Sequence, residues 1–237
     1  MPSPGSSGGG RKAPPAPRRK APAQDSSAAA EREARKARRQ EGRRNAILAA
    51  ARTVLGKGGI SGLTLEAVAA EADLSKPSLF YYFRSKEELV GELAVEGLAR
   101  EVEVLEAAAA GAGSGVEALA AVVKASVDLY AEDLDAFRTV YLWPQLMGRM
   151  SDSQRERAYA LSARLNDALE ARLQADVRAG RLAPGLQPRR LANVAWTTAH
   201  GLLSLVAGLE NAGGSTRFAL SQLRDEACAL VLRAGVR

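Results

Sequence analysis

Cysteine and histidine are almost missing from this chain: its 237 residues include one of each, Cys228 and His200. A lone thiol excludes an intrachain disulfide and suits a reducing cytoplasm. With one imidazole and one thiol on separate predicted helices, neither a zinc quartet nor a nucleophile with a paired base can be assembled. HExxH pairs and glycine-rich phosphate loops are absent too, so the residues argue against an enzyme and imply no cofactor and no metal. No long hydrophobic run exists: Val194 to Leu209 falls short of the roughly 18 residues a membrane helix needs, and it contains Thr197, Thr198 and His200. Without a signal-peptide hydrophobic core near its start, the chain is not expected to be secreted. No stretch combines strand alternation with hairpin turns, which leaves an all-α chain.

What is present is unevenly spread. Hydrophobic residues make up 46% of the chain, enough for a core in one large or two small domains. The net charge is +6, yet residues 1–44 alone hold 12 Lys and Arg against 4 Asp and Glu, while the other 21 basic residues are outnumbered by 23 acidic ones. Basic character therefore belongs to the N-terminal tail. From Met1 to roughly Ala30 that tail is rich in Gly, Pro, Ser and Ala without apolar periodicity, and it is expected to stay disordered because it cannot offset its ordering entropy. From Glu31 the sequence EREARKARRQEGRR is helix-permissive and carries Arg32, Arg35, Lys36, Arg38, Arg39, Arg43 and Arg44. Two readings stand: an arm lying along the minor groove or backbone of DNA and adding salt-sensitive affinity, or a solubilising, nonspecific tail.

Between Arg44 and Leu93 the pattern becomes specific. Ile47, Leu48, Ala51, Val54 and Leu55 recur at helical spacing, and Gly56, Gly58 and Gly59 end the run. Thr64 is placed to cap a second helix of about two turns bearing Leu65, Val68, Ala69 and Ala72. Ala72, Asp73 and Leu74 form a tight connection to Ser75, the next N-cap, and Pro77 sits where its missing N–H costs little. A third helix over Lys76 to Tyr82 follows, with Leu79 and Phe83 facing a core. Pro77, Ser78, Phe80 and Tyr81 then point outward, with Lys76 and Tyr82 at the margins. An isolated FYYF run would more often be an aromatic core cluster. After two short helices joined by three or four residues, the same run suits a DNA-reading helix, with apolar groups for thymine methyls and lysine and tyrosine for phosphates.

On these residues, and on SKPSLFYYFRSKEEL from Ser75 to Leu89 in particular, the segment resembles the DNA-binding domain of the TetR family of transcriptional regulators. The resemblance implies that Thr64 and Lys86 grip phosphates, that Lys76, Pro77 and Ser78 approach bases, and that Tyr81 and Tyr82 flank the backbone; Arg44 and Ser75 complete the expected DNA-binding set. Two departures stand out: Phe80 replaces the family's usual tyrosine and cannot donate a phosphate bond, and Asp73 replaces a common glycine.

The remainder reads as helices throughout. A fourth helix is expected from about Ser85 past Leu105 to the Gly-rich Ala109–Gly115. A fifth carries Val116 to Tyr130, and a sixth, with Phe137, Val140 and Tyr141, ends or kinks near Trp143 and Pro144. Ser153 with Glu156 has capping-box spacing and opens a long helix that stops at Gly180. The connection from Arg178 to Trp196 is similar to the late-helix junction of many TetR-type regulators. Two apolar helices follow, one with the stripe Leu191, Val194, Ala195, Thr198, Leu202, Leu205 and Leu209, the other with Leu220, Leu223, Ala227, Leu230 and Ala234. Ala199, Gly201 and Gly208 lie between them and permit close helix approach.

The expected organisation is a disordered basic tail (1–40), a three-helix helix-turn-helix domain (41–90) and a larger helical effector-binding and dimerisation domain (91–237), about nine helices in all. In the family it resembles, the last two helices make a four-helix dimer interface, here Leu202, Leu205, Leu209, Leu220, Leu223, Ala227 and Leu230. A two-fold homodimer implies a palindromic double-stranded DNA operator. Tyr130, Phe137, Tyr141, Trp143, Met147, Met150, Tyr159 and Trp196 gather most aromatic and thioether groups outside the DNA unit, with Asn193 and His200 as polar anchors. Such residues are often core, yet together they suit a small-molecule effector pocket. The expected function is a cytoplasmic repressor, not membrane-bound, that the effector releases from DNA. The alternative is a nonspecific nucleoid-type DNA binder working through its basic tail.

Overall fold

The computed structural model describes residues 23–142 and 150–235, with side chains from residue 30. Within them it is all-α. Helix α1 is Ala23–Gly62, α2 Leu65–Glu71, α3 Lys76–Tyr82, α4 Lys86–Ala110, α5 Gly115–Tyr130 and α6 Leu134–Phe137, continued by a π-helical turn Arg138–Leu142; α7 is Asp152–Arg178, α8 Pro188–Asn211 and α9 Leu220–Leu232. Residues up to Arg43 and residues from Arg44 form two compact units. The disorder expected to about Ala30 does not extend over Ala23–Ala30, which are helical; residues 1–22 lie outside the described part. In the first unit Arg32, Arg35, Lys36, Arg38, Arg39 and Arg43 are exposed.

The local expectations for the DNA unit hold, with one shift. Helix α1 passes Gly56 and Gly58 and departs from helical geometry only at Gly59, whose φ of 59° and ψ of −165° suit a residue without Cβ. Thr64 caps α2, its Oγ1 accepting from Ala67 N at 3.1 Å, a bond worth about 1 kcal/mol. Asp73 takes φ 52°, the sole positive φ on a non-glycine among the described residues. Leu79 and Phe83 are fully buried with Ile47, Leu48, Leu63, Val68 and Leu89. Each such side chain contributes about 1.5–3 kcal/mol of burial.

In the larger unit α5 is the central helix, packed on α4, α7, α8 and α9. Three expectations are corrected here. Ser151, not Ser153, caps α7: its hydroxyl accepts from Gln154 N while the Gln154 side chain reaches back to Ser151 N. This box wins because Gln154 also has buried partners, whereas Ser153 and Glu156 are exposed. The inward face of α8 is Ala192, Ala195, Ala199, Leu203 and Ala207, so small residues bring α8 close to α5 and much of the expected leucine stripe faces outward. Gly201 and Gly208 are exposed with open space at their Cα, and make no close approach within the protomer. The kink expected near Pro144 lies outside the described residues. Among the described residues no helix is long and apolar enough to cross a membrane.

Candidate functional site

The reading face is built by α2 and α3. Ser75 Oγ accepts from Ser78 N at 3.3 Å and shares a hydrogen bond with Ser78 Oγ at 2.8 Å, which fixes the first turn of α3. Pro77, Ser78 and Lys76 are exposed; Phe80 and Tyr81 keep 39% and 70% of their surface in solvent. Large aromatic side chains this exposed on a two-turn helix do not serve its core. Lys76 Nζ lies 2.5 Å from Glu66 Oε1 and 5.7 Å from the Phe80 ring centroid, so α2 steers the lysine across the face. Tyr82 is half-buried, meets Tyr81 edge-to-face at 5.1 Å and packs on the domain core.

Two residues expected on DNA have internal duties. Lys86 Nζ donates to Ile60 O at 2.6 Å, tying the chain after Gly59 to the start of α4. Arg44 turns inward: its guanidinium lies 4.5 Å over the Phe83 ring, donates to Tyr82 O at 3.5 Å and pairs with Glu92 at 3.1 Å. Sequence reading placed Arg44 on DNA because it ends a basic run. The aromatic and the carboxylate that hold it lie about forty to fifty residues away and were invisible to that argument.

Glu92 joins three helices. On α4 and 5% exposed, it accepts from Arg44 of α1, from Arg157 of α7 at 3.0 Å and from Gln154 Nε2 at 3.0 Å. Gln154 also donates to Glu88 O at 2.9 Å, and Gly91 leaves the room this side chain fills, since a Cβ there would stand 2.6 Å from Gln154 Oε1. Burial pushes the Glu92 carboxyl up, but the bonds from Gln154, Arg44 and Arg157 outweigh it and hold the group below the usual range. The end of the recognition helix is thereby connected, through Arg44 and Glu92, to the start of α7.

The second candidate site is a cavity of about 180 Å³ lined by residues of α4, the π-helical turn, α7 and α8, among them Leu98, Glu101, Leu105, Tyr141, Asn166 and Trp196. Glu101 is 1% exposed. Its Oε2 accepts from Tyr130 Oη at 2.9 Å and from Tyr141 Oη, and its Oε1 from Ser126 Oγ at 3.3 Å. No Lys or Arg among the described residues pairs with it; the nearest nitrogen of an ionisable side chain is His200 Nε2 at 3.6 Å. Burial raises the Glu101 carboxyl above its ordinary range despite the three hydroxyls, and burial beside Glu101 raises both tyrosines. His200 Nδ1 sits 2.9 Å from Trp196 O. A carbonyl only accepts, so Nδ1 carries the proton and the buried Nε2 presents a lone pair without a partner.

Burial pushes His200 down to about 4 against the Trp196 carbonyl, which favours the charged form. The unfolded chain takes up a proton near pH 6.5 that the folded ring refuses until about pH 4. This part of the stability is therefore complete above pH 6.5 and lost on acidification to pH 4, by about 3 kcal/mol. His200→Gln should flatten the urea-midpoint profile across that interval; an unchanged acid limb would refute the assignment.

Of the expected pocket residues, Tyr130, Phe137, Tyr141, Trp196 and His200 come together as one aromatic cluster, with ring centroids 3.9–6.4 Å apart. Tyr130 and Phe137 are buried core, and Tyr141 and Trp196 line the cavity. Asn193 stands at its rim, its amide donating to Arg189 O. Tyr159, on α7 and 76% exposed, is not part of this cavity's lining. Met150 is half-buried and has no place in the lining; Trp143 and Met147 lie outside the described residues. The expected interface residues divide. Leu205 and Leu230 are 52% and 61% exposed, and Leu202, Leu209, Leu220 and Leu223 are half-buried. Ala227, 5% exposed, packs in the protomer's own core. Sequence reading missed Glu92 and Glu101; the available signal was an acid inside an apolar stripe, as in Leu98, Glu101, Val102 and Leu105.

A helix-turn-helix with an exposed aromatic and hydroxyl face, joined to a larger helical unit with its own cavity, defines an all-α DNA-binding transcription regulator. Residues 47–93 match the family described as bacterial regulatory proteins, tetR family. No curated protein sequence matches the chain. Among solved structures it is similar to a protein of unknown function from Rhodococcus sp. RHA1 (24% identity, 82% of this chain and 96% of that one, TM-score 0.65). It is also similar to a TetR/AcrR-family transcriptional regulator from Thermobifida fusca YX-ER1 (20%, 83% and 100%, 0.63) and to the transcriptional regulator FadR from Bacillus subtilis in complex with stearoyl-CoA (18%, 80% and 97%, 0.62). At these identities the likeness establishes the fold.

Proposed function

We propose that the protein is a cytoplasmic repressor that binds a palindromic operator as a homodimer and leaves it when a small molecule occupies the Glu101 cavity. The observation that carries this reading is the pairing of the exposed α3 face with a separate cavity lined in part by α4. Lys76, Pro77, Ser78, Phe80 and Tyr81 supply base and groove contacts, Thr64 and Tyr82 flank the backbone, and the exposed Val194, Leu205 and Leu230 supply an apolar surface for a second copy. The effector acts by a population shift, favouring a spacing of recognition helices that does not fit the operator, so it must bind the two conformations unequally.

The test is binding to DNA from upstream of the chain's own gene against random DNA at about 150 mM salt. A specific regulator should prefer its site by about a thousandfold or more. Lys76→Ala should weaken the specific complex by about 1–3 kcal/mol. Equal affinity for both DNAs would sink the proposal and favour nonspecific binding through the basic arm.

A further inference from the structure

Among the described residues the buried carboxyl of Glu101 lacks a cationic partner. An ionised carboxylate removed from water needs a cation or a full set of donors. Glu101 has hydroxyl donors on both oxygens but no cation among the described residues, and Oε1 carries only one long bond, from Ser126 at 3.3 Å. Beside Oε1, at 3.6 Å, is the unpartnered lone pair of His200 Nε2. While Glu101 is ionised, two acceptors thus face each other with no donor between them among the described residues. On the cavity side stand the rings of Tyr141 and Trp196, 6.0 Å apart and edge-to-face; the rest of the lining is apolar at Leu98, Val102, Leu105 and Leu165 and polar but uncharged at Ser162, Asn166 and Asn193.

Resting on the reading of this cavity as the effector site, we propose that its ligand is a compact organic cation whose ammonium or amidinium group donates to Glu101, with its apolar part among Leu98, Val102, Leu105 and Leu165. A cation neutralises the carboxylate, supplies the missing donors and gains from the π faces of Tyr141 and Trp196. An anionic group at the same depth would face Glu101 and is disfavoured. Size adds a limit: about 180 Å³ is little more than an engineered cavity of about 150 Å³ that accepts benzene.

The probes are benzylamine, its neutral analogue benzyl alcohol, and benzoate. They are titrated into the full-length chain carrying Trp143→Phe, which leaves Trp196 as its only tryptophan and its fluorescence as the reporter. Benzylamine should bind at least about tenfold more tightly than benzyl alcohol, and benzoate more weakly than either. Glu101→Gln, which keeps size and hydrogen bonding but removes the charge, should abolish the preference while calorimetric binding of benzyl alcohol persists. Equal or tighter binding of the neutral or anionic probe to the parent chain overturns the cation assignment and leaves the cavity reading standing. No response to any probe up to about 10 mM, far weaker than a working site, overturns both.

Discussion

Leu205→Asp should convert the protein from a dimer to a monomer in sedimentation equilibrium without unfolding it. In the single chain Leu205 is 52% exposed, on the same face of the helix as the also exposed Val194 about three turns away, and a polar replacement at such a position changes stability by about 0.5 kcal/mol or less. In a two-fold dimer the substitution occurs twice, and each carboxylate must lose water against the partner's apolar face. Even about 2 kcal/mol per copy sums to about 4 kcal/mol, a loss approaching a thousandfold in association. Operator affinity should fall with it, because one half-site remains. Ala227→Asp is the contrast: Ala227 packs in the protomer core, and its replacement should unfold the chain at any concentration. A parent protein that sediments as a monomer at micromolar concentration, or a Leu205→Asp dimer as tight as the parent, would remove α8 from the interface.

Glu92→Ala should lower stability by about 2–4 kcal/mol, somewhat below the usual cost of breaking a buried ion pair because both arginines retain water: the Arg44 and Arg157 side chains are 28% and 50% exposed. The substitution leaves Arg44 over Phe83 without its carboxylate and deprives Gln154 of one of its two acceptors. Because the folded Glu92 carboxyl lies below its ordinary value, its contribution is present above the unfolded value near 4.3 and is lost as pH falls through the lower folded one. The gap in urea midpoint between parent and variant should therefore close on acidification. The variant should also respond less to ligand in operator binding, since Glu92 links the end of α3 to α7. A double-mutant cycle with Arg157→Ala isolates that link; additive effects would mean that α4 and α7 are not coupled there.

How much was legible depended on the range of the interaction. Caps and turns were, because Thr64, Ser75 and Asp73 act on backbone groups within three residues. The capping box of α7 was misplaced by two residues because Ser151 with Gln154 and Ser153 with Glu156 have the same spacing, and only the distant Glu92 and Glu88 carbonyl select Gln154. The stripe of α8 was misread for a related reason. An apolar residue counts equally in a periodicity whether it faces its own core or a partner, and α8 has both faces. Tyr159 failed because helical spacing does not say which side of α7 meets α4.

The amino-acid order by itself determined the all-α class, the three-helix reading unit and the face that α3 presents, since helix period, N-caps and one left-handed turn are local properties. Only the tertiary structure decided that Arg44 braces Phe83 and Glu92, that the face of α8 packing on its own protomer is its alanine side, and that Glu101 is buried without a cationic partner among the described residues. Charge, unlike hydrophobic periodicity, takes its meaning from what lies within a few ångströms, and those neighbours come from helices far apart in the chain.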